Sequence, residues 1–241
     1  HRQLGVGADQ ILLLQKPVIQ GSDVFMAIWN ADGSTSEMCG NGIRAVALYL
    51  KKHGRPDAKP LVVAHGEYRI DTPAGLKTVQ EMAGEFVVNM GSPKVSQKDE
   101  MLSFDAGAKE PIHMRFNEVS VGNPHAVIFV PRITEIPLEL WGPRIEKHER
   151  FPQRTNVEFV EIKSKKNLVV RVWERGAGVT LACGSGACAV AAAAIQSGRA
   201  ESPVDIDLPG GRLTLAWEGG NSPLLMQGPA EEVYQGEWFL E

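Results

Sequence analysis

Short runs of β-branched and aromatic residues recur along the chain, and glycine or proline separates most of them from one another. Each run is only a few residues long, which is typical of strands rather than helices. The pattern therefore predicts a protein built mainly from strands. The predicted strands span residues 61–63, 86–90, 126–130, 157–162 and 168–173.

Two longer apolar stretches predict helices. Residues 41–53 carry apolar side chains at helical spacing and run up to Gly54, which is a suitable C-terminal cap. Residues 185–197 are apolar almost all round, so we expect this helix to be buried, and Gly198 follows it. A third, shorter helix is expected within residues 137–150.

A weak internal repeat relates the two halves of the chain. A Cys-Gly-x-Gly segment stands directly before each of the two main helices, beginning at Cys39 and at Cys183. A Pro-x-Gly turn at residues 72–75 recurs at 208–211 as Pro-Gly-Gly, at nearly the same spacing. The shared order of features predicts two similar α/β halves with a cleft between them.

Composition and net charge exclude several classes of function. The 241 residues include 25 Lys or Arg and 29 Asp or Glu, and the resulting net charge of −4 disfavours nucleic acid or a membrane surface as partner. An apolar content of 43% excludes general disorder, and no apolar run is long enough to span a membrane. Three cysteines are too few for a disulfide scaffold or a zinc site, and they fit a reducing, cytoplasmic location.

The paired cysteines carry the strongest chemical signal. A thiol at a helix N-terminus faces unpaired N–H groups and the positive end of the helix dipole, which lower its pKa. Two such thiols on opposite sides of a bound carboxylate could remove an α-proton from one face and return one to the other. Cys188, inside the apolar helix, is expected to pack in the core, and a Cys39–Cys183 disulfide would be an oxidised, inactive form.

At these residues the chain closely resembles the diaminopimelate epimerases, a family of cofactor-independent amino-acid epimerases. The resemblance runs along the whole chain and is densest in five segments. These are RQLGVGADQ at 2–10, NADGSTSEMCGNGIR at 30–44, GNPHAV at 122–127, RTNV at 154–157 and WERGAGVTLACGSGACA at 173–189.

The resemblance implies a role for each matching residue. Cys39 and Cys183 match the two catalytic thiols, and His125 and Glu174 match residues that tune them. Tyr234 matches a residue at the family's dimer contact. The implied substrate-binding residues are Gln10, Asn30, Gly40, Asn41, Asn123, Asn156, Glu174, Arg175, Gly184 and Ser185.

The resemblance also implies the fold and the partners. We expect two pseudo-symmetric domains, each a β-barrel-like sheet around a central helix, with the active site in the cleft between them. The N-terminal domain would comprise residues 1–82 and a returning strand within 229–241, and the C-terminal domain residues 83–228. The family's first strands precede the position of Arg2, so we expect this chain to lack them. A homodimer is implied, and neither a cofactor nor a metal.

The implied reaction interconverts LL-2,6-diaminopimelate and meso-diaminopimelate, a step of lysine biosynthesis. Two other readings stay open. One is a related racemase or isomerase of the same fold that acts on proline, hydroxyproline or a phenazine precursor. The other is a non-catalytic module that only binds an amino acid.

Overall fold

The computed structural model describes residues 7–8, 10–30, 32–57, 66–96, 99–107 and 110–237. Within these ranges, fifteen strands form one mixed sheet. The first strands along the chain are β1 (Gln10–Gln15), β2 (Val24–Asn30), β3 (Glu67–Thr72), β4 (Gly75–Met82) and β5 (Glu85–Asn89). The later strands are β6 (Lys94–Val95), β7 (Glu100–Phe104), β8 (Ile112–Ser120), β9 (Pro124–Phe129), β10 (Asn156–Ser164), β11 (Asn167–Glu174), β12 (Gly178–Thr180), β13 (Val204–Leu208), β14 (Gly211–Ala216) and β15 (Leu225–Gly228).

The order of the strands is symmetric about the centre of the sheet. One side runs β1-β2-β3-β4-β5 and the other runs β15-β14-β13-β11-β10, and β5 pairs with β15 in antiparallel orientation. Within each side one pair is parallel, β2 with β3 and β11 with β13. This order confirms the predicted α/β class with two pseudo-symmetric halves. The second half is extended by β9, β8 and β6.

Three helices complete the fold: α1 (Gly40–His53), α2 (Leu138–Glu146) and α3 (Gly184–Gln196). All three were predicted, and the bounds of α1 and α3 differ from the prediction by one residue at most. The sheet covers α1 with β3, β4 and β5, and it covers α3 mainly with β8, β9, β10 and β14. As its apolar surface predicts, α3 is buried along its length, and Cys188 lies in the core.

The predicted strands in the described ranges are confirmed within two residues at either end, whereas 61–63 lies outside the described residues. The prediction of a returning strand is wrong for residues 229–237, because these residues form no strand. This segment instead lies along the end of α1, where Glu232 pairs with Lys52 and His53. Residues 238–241 lie outside the described part of the chain.

The proposed domain division at residues 82/83 and 228/229 stays a prediction. The sheet passes from β5 directly into β15, so strand pairing marks no boundary between the halves.

Candidate active site

The two cysteines of the repeat cap the two main helices. Cys39 is the N-cap of α1, and its sulfur accepts a hydrogen bond from the Gly42 amide at 3.2 Å. Cys183 is the N-cap of α3 and accepts from the Gly186 amide at 3.4 Å. Each thiol therefore takes one of the N–H groups that have no carbonyl partner in their own helix.

The N-terminal ends of α1 and α3 meet backbone to backbone. A Cβ placed on Gly184 would lie 3.0 Å from the Gly40 Cα and 3.2 Å from the Asn41 amide nitrogen. Only glycine permits this approach. The Asn41 side chain also joins the two ends, because its Nδ2 donates to the Ala182 carbonyl at 3.1 Å. The structure thus brings Cys39, Gly40, Asn41, Cys183 and Gly184 into one site.

Arg44 places a buried positive charge beside this junction. Its guanidinium donates to the Asn41 Oδ1 at 3.2 Å and to the Pro229 carbonyl at 3.0 Å. All the hydrogen-bond acceptors that the structure gives Arg44 are uncharged. The charge acts to lower the pKa of the Cys39 thiol.

The predicted lowering of the thiol pKa values is wrong. Burial raises the pKa of the Cys39 thiol to about 11, although the Gly42 amide acts in the opposite direction. Burial, followed by the charges of Glu174 and Glu158, also raises the pKa of Cys183 well above its usual value. A helix N-terminus favours a thiolate, but removing the sulfur from water costs more here. Both thiols are therefore protonated at neutral pH.

We expect iodoacetamide to label Cys39 slowly at neutral pH, because only the thiolate reacts. The labelling rate should rise about tenfold per pH unit until the pH approaches about 11. Mass spectrometry of labelled peptides measures the rate, and fully buried Cys188, whose pKa is raised to about 12, serves as internal control. A Cys39 rate that levels off near pH 7 would contradict the raised pKa.

A chain of buried and partly buried polar side chains ends at Cys183. The Ser185 hydroxyl lies 3.5 Å from the Cys183 sulfur and accepts from the Asn123 Nδ2 at 3.3 Å. The Asn123 Oδ1 lies 2.9 Å from the His125 Nε2. On the far side of the ring, the His125 Nδ1 lies 2.7 Å from a carboxylate oxygen of Glu158. The predicted residues Asn123, His125 and Ser185 therefore belong to one network behind Cys183.

Glu174 acts on both thiols. Its negative charge raises the pKa of Cys39 and of Cys183, and Cys183 in turn acts to lower the pKa of Glu174. Burial raises the pKa of Glu174 itself, while the Thr180 hydroxyl, which donates to Glu174 at 2.5 Å, acts to lower it. This electrostatic action on both cysteines fits the tuning role that the resemblance implies.

Arg175 follows directly and lies at the rim of the site. Its backbone amide donates to the Asn156 Oδ1 at 2.9 Å, and the Asn156 Nδ2 donates to the Pro124 carbonyl at 2.9 Å. Asn156 thereby holds the Arg175 backbone in place. The guanidinium is 3.5 Å from the half-exposed carboxylate of Glu37, a surface pair of the kind that contributes little stability. A ligand carboxylate could therefore replace Glu37.

Gln10 and Asn30 form a pair at the start of the loop that leads to Cys39. The Gln10 Nε2 donates to the Asn30 Oδ1 at 2.9 Å, and the Asn30 Nδ2 donates to the Ser34 hydroxyl at 3.0 Å. The same loop approaches the Arg175 turn, since a Cβ on Gly176 would lie 3.7 Å from a carboxylate oxygen of Asp32. These residues thus border the Arg175 side of the site.

Comparison with known proteins identifies the family. The family model for diaminopimelate epimerase matches residues 1–96 and 118–233. The diaminopimelate epimerase of Xanthomonas axonopodis pv. citri is 41% identical over 98% of this chain and 84% of the relative. That of Nitrosospira multiformis is 43% identical over 100% of this chain and 86% of the relative. The chain belongs to the diaminopimelate epimerase family.

Solved structures agree at the level of the fold. A hydroxyproline epimerase from Agrobacterium vitis, solved with bound trans-4-hydroxy-L-proline, superposes with a TM-score of 0.69 at 17% identity, over 91% of this chain and 72% of that one. A probable proline racemase from Agrobacterium radiobacter gives 0.70 at 15% identity, over 91% and 73%. These similarities confirm the epimerase-like fold, and the family identifies the chain as an isomerase of the epimerase class.

Tyr234 lies on the surface of the chain. It is 66% exposed within residues 229–237, which lie along the end of α1, and the side chain of its neighbour Val233 is also exposed. Its predicted place at a dimer contact stays a prediction.

Among the described residues, no helix combines the length and apolar character that crossing a bilayer requires.

Sequence reasoning missed three charged residues of the site: Arg44, Glu37 and Glu158. Glu158 could have been noticed, because it is the one charged residue in the short stretch 157–160 of β10, whose other members are apolar. Arg44 follows Asn41 by three positions and so shares its helix face. Glu37 carries no comparable local signal.

Proposed function

We propose that the chain interconverts LL-2,6-diaminopimelate and meso-diaminopimelate by proton transfer between Cys39 and Cys183. The observation that carries the proposal is the meeting of two cysteine-capped helix ends at Gly40 and Gly184. A carboxylate bound by the remaining first-turn N–H groups would have one thiol on either side of its α-carbon. Two acid–base groups on opposite faces are what inversion of that carbon requires.

The proposed step balances without a cofactor. The step starts from the minor form in which Cys39 has given its thiol proton to solvent, because the raised pKa keeps most Cys39 protonated. The Cys39 thiolate takes the α-hydrogen as a proton, and the electron pair of the broken C–H bond moves into the carboxylate. The Cys183 thiol then delivers its proton to the opposite face of the carbon and becomes a thiolate. The N–H groups of α1 and α3 stabilise the added negative charge on the carboxylate oxygens. The thiols exchange roles in the reverse direction.

Substrate choice rests on the distal end of the molecule. Arg175 presents a planar fork to the distal carboxylate once Glu37 is displaced. Asn30 and Glu174 offer acceptors to the distal ammonium, Gln10 donates to Asn30, and Asn156 holds the Arg175 backbone. A shorter amino acid would leave these groups unpaired, which disfavours its binding strongly.

The proposal also has a cellular setting. It places the enzyme in the cytoplasm and in lysine biosynthesis, and it includes a homodimer with Tyr234 at the contact. These elements rest on membership of the family. Exposed apolar side chains beside Tyr234 support the dimer contact, since Val233 and Tyr49 share this surface.

The proposal is tested by substrate conversion under reducing conditions in D2O. LL-Diaminopimelate, meso-diaminopimelate, L-proline and trans-4-hydroxy-L-proline are each incubated with the chain, and stereoisomers are separated by chiral chromatography. We expect conversion of the two diaminopimelates alone. Conversion of proline or hydroxyproline instead would favour a racemase of the related type. Binding of diaminopimelate with neither conversion nor α-proton exchange would indicate a module that only binds.

A further inference from the structure

Glu146 is the last residue of α2 and is buried, with only 3% of its surface exposed. A carboxylate at this end of a helix faces the negative end of the helix dipole, and burial removes it from water. The Arg154 guanidinium lies 3.7 Å from the Glu146 Oε1, but its side chain is more than half exposed, and such a pair contributes little. The place of Glu146 therefore calls for another reason.

The two oxygens of Glu146 accept hydrogen bonds on either side of Glu174 and Arg175. Its Oε2 accepts from the indole Nε1 of Trp173 at 2.8 Å, and its Oε1 accepts from the backbone amide of Gly176 at 3.1 Å. Indole and backbone N–H groups only donate, so the direction of both hydrogen bonds is defined. The end of α2 thus holds the turn that carries Glu174 and Arg175.

These hydrogen bonds fix the backbone of Arg175. The peptide group before its Cα is held through the Arg175 amide, which donates to the Asn156 Oδ1 at 2.9 Å. The peptide group after its Cα is held through the Gly176 amide, which donates to Glu146. Because the backbone has only two soft dihedral angles per residue, holding both peptide groups sets the direction in which the Arg175 side chain leaves the turn.

Glu174, by contrast, is held by contacts that do not involve Glu146. It pairs with Gly178 where β11 and β12 run side by side, and the Thr180 hydroxyl donates to its carboxylate. Loss of the Glu146 side chain should therefore displace Arg175 and leave Glu174, which acts on both thiols, in its place.

We propose that Glu146 is a positioning residue for substrate specificity, because it sets the place from which Arg175 binds the distal carboxylate of diaminopimelate. The inference deepens the proposed function and rests on it for the role of Arg175. Glu146 acts through Arg175 and touches no reacting atom. A contact with the distal end is made alike in the ground state and in the transition state, so its loss raises KM and leaves kcat unchanged.

The first test is hydrogen exchange of backbone amides, followed by NMR on the ligand-free, 15N-labelled chain. Gly176 is exposed, and an exposed turn amide exchanges quickly unless a hydrogen bond protects it. We expect the Gly176 amide to exchange at least about 100-fold more slowly than an unstructured amide, and at least about tenfold faster in Glu146→Ala than in the unaltered chain. Glu139→Ala, at an exposed position of the same helix, is the matched control and should leave the rate unchanged. An unprotected Gly176 amide in the unaltered chain would overturn the proposal.

The second test is a double-mutant cycle on diaminopimelate conversion. Glu146→Ala should lower kcat/KM by about 10- to 100-fold through KM alone, with kcat changed by no more than about threefold. In an Arg175→Met background the same change should cost less than about twofold, because the side chain through which it acts is gone. A larger fall in kcat, or an equal loss of kcat/KM in both backgrounds, would indicate a merely structural role and overturn the proposal.

Thermal melting establishes whether Glu146→Ala is folded at the assay temperature. If it is not, Glu146→Asp takes its place with the same expectations, since it keeps the charge but draws both oxygens back by about 1.5 Å, the length of one C–C bond. Failure of the unaltered chain to convert diaminopimelate would refute the proposed function alone, and the exchange of the Gly176 amide would then decide whether Glu146 holds the Arg175 turn.

Discussion

Replacement of either capping cysteine should abolish diaminopimelate epimerisation. We expect Cys39→Ala and Cys183→Ala each to lower kcat by about 10²- to 10⁴-fold, the contribution that a positioned acid or base usually makes. The double variant should be barely slower than either single one, since inversion needs both groups together. Chiral chromatography of the diaminopimelate isomers measures the rate.

The third cysteine provides the matched control. Cys188 lies in the same helix as the Cys183 cap but is fully buried in the core. Cys188→Ala should cost some stability through the small cavity that it leaves, while kcat stays within about threefold of the original. Turnover close to the original in Cys39→Ala or Cys183→Ala would refute the two-base mechanism.

Adding a single methyl group at Gly184 should also lower kcat strongly. In Gly184→Ala the new Cβ would meet the Gly40 Cα at 3.0 Å and the Asn41 amide at 3.2 Å, both closer than ordinary contacts. The two helix ends must then move apart by several tenths of an ångström. Because catalysis tolerates only about 0.5 Å of misplacement, we expect kcat to fall by roughly 10- to 100-fold.

The control for Gly184→Ala is the same change at a glycine with open space. A Cβ on Gly236 would meet no atom within 4 Å, so Gly236→Ala should leave kcat unchanged. Circular dichroism and thermal melting establish whether Gly184→Ala is folded at the assay temperature. A folded Gly184→Ala with full activity would show that the close approach of α1 and α3 is not needed for the reaction.

Local sequence features were enough to predict the helices and most strands of this fold. The Cys-Gly-x-Gly segments and the glycines after each helix specify where α1 and α3 begin and end, because capping depends on neighbouring residues only. The pairing of β5 with β15 could not be predicted in this way, since it joins segments far apart in the chain. The prediction of a returning strand was wrong at residues 229–237 for a similar reason. Contacts with α1, which is distant in the chain, hold that segment instead.

The site was predicted only in part. The residue types and their repeat identified both thiols, and the structure brings them to adjoining helix ends. The direction of their pKa shifts was wrong, because burial depends on the surrounding sheet and cannot be read from the helix that each thiol caps. Glu158 and Arg44 were missed, since their importance comes from what packs around them.

The position of deuterium in the product tests the central claim most directly. LL-Diaminopimelate is incubated with the chain in D2O, and product and remaining substrate are examined by proton NMR early in the reaction. Two thiols that act from opposite faces predict meso-diaminopimelate with deuterium at the inverted carbon, beside remaining substrate that still carries its original α-hydrogen. Product that retains the original α-hydrogen at the inverted carbon would mean that a single group carries the proton across, and would contradict the account.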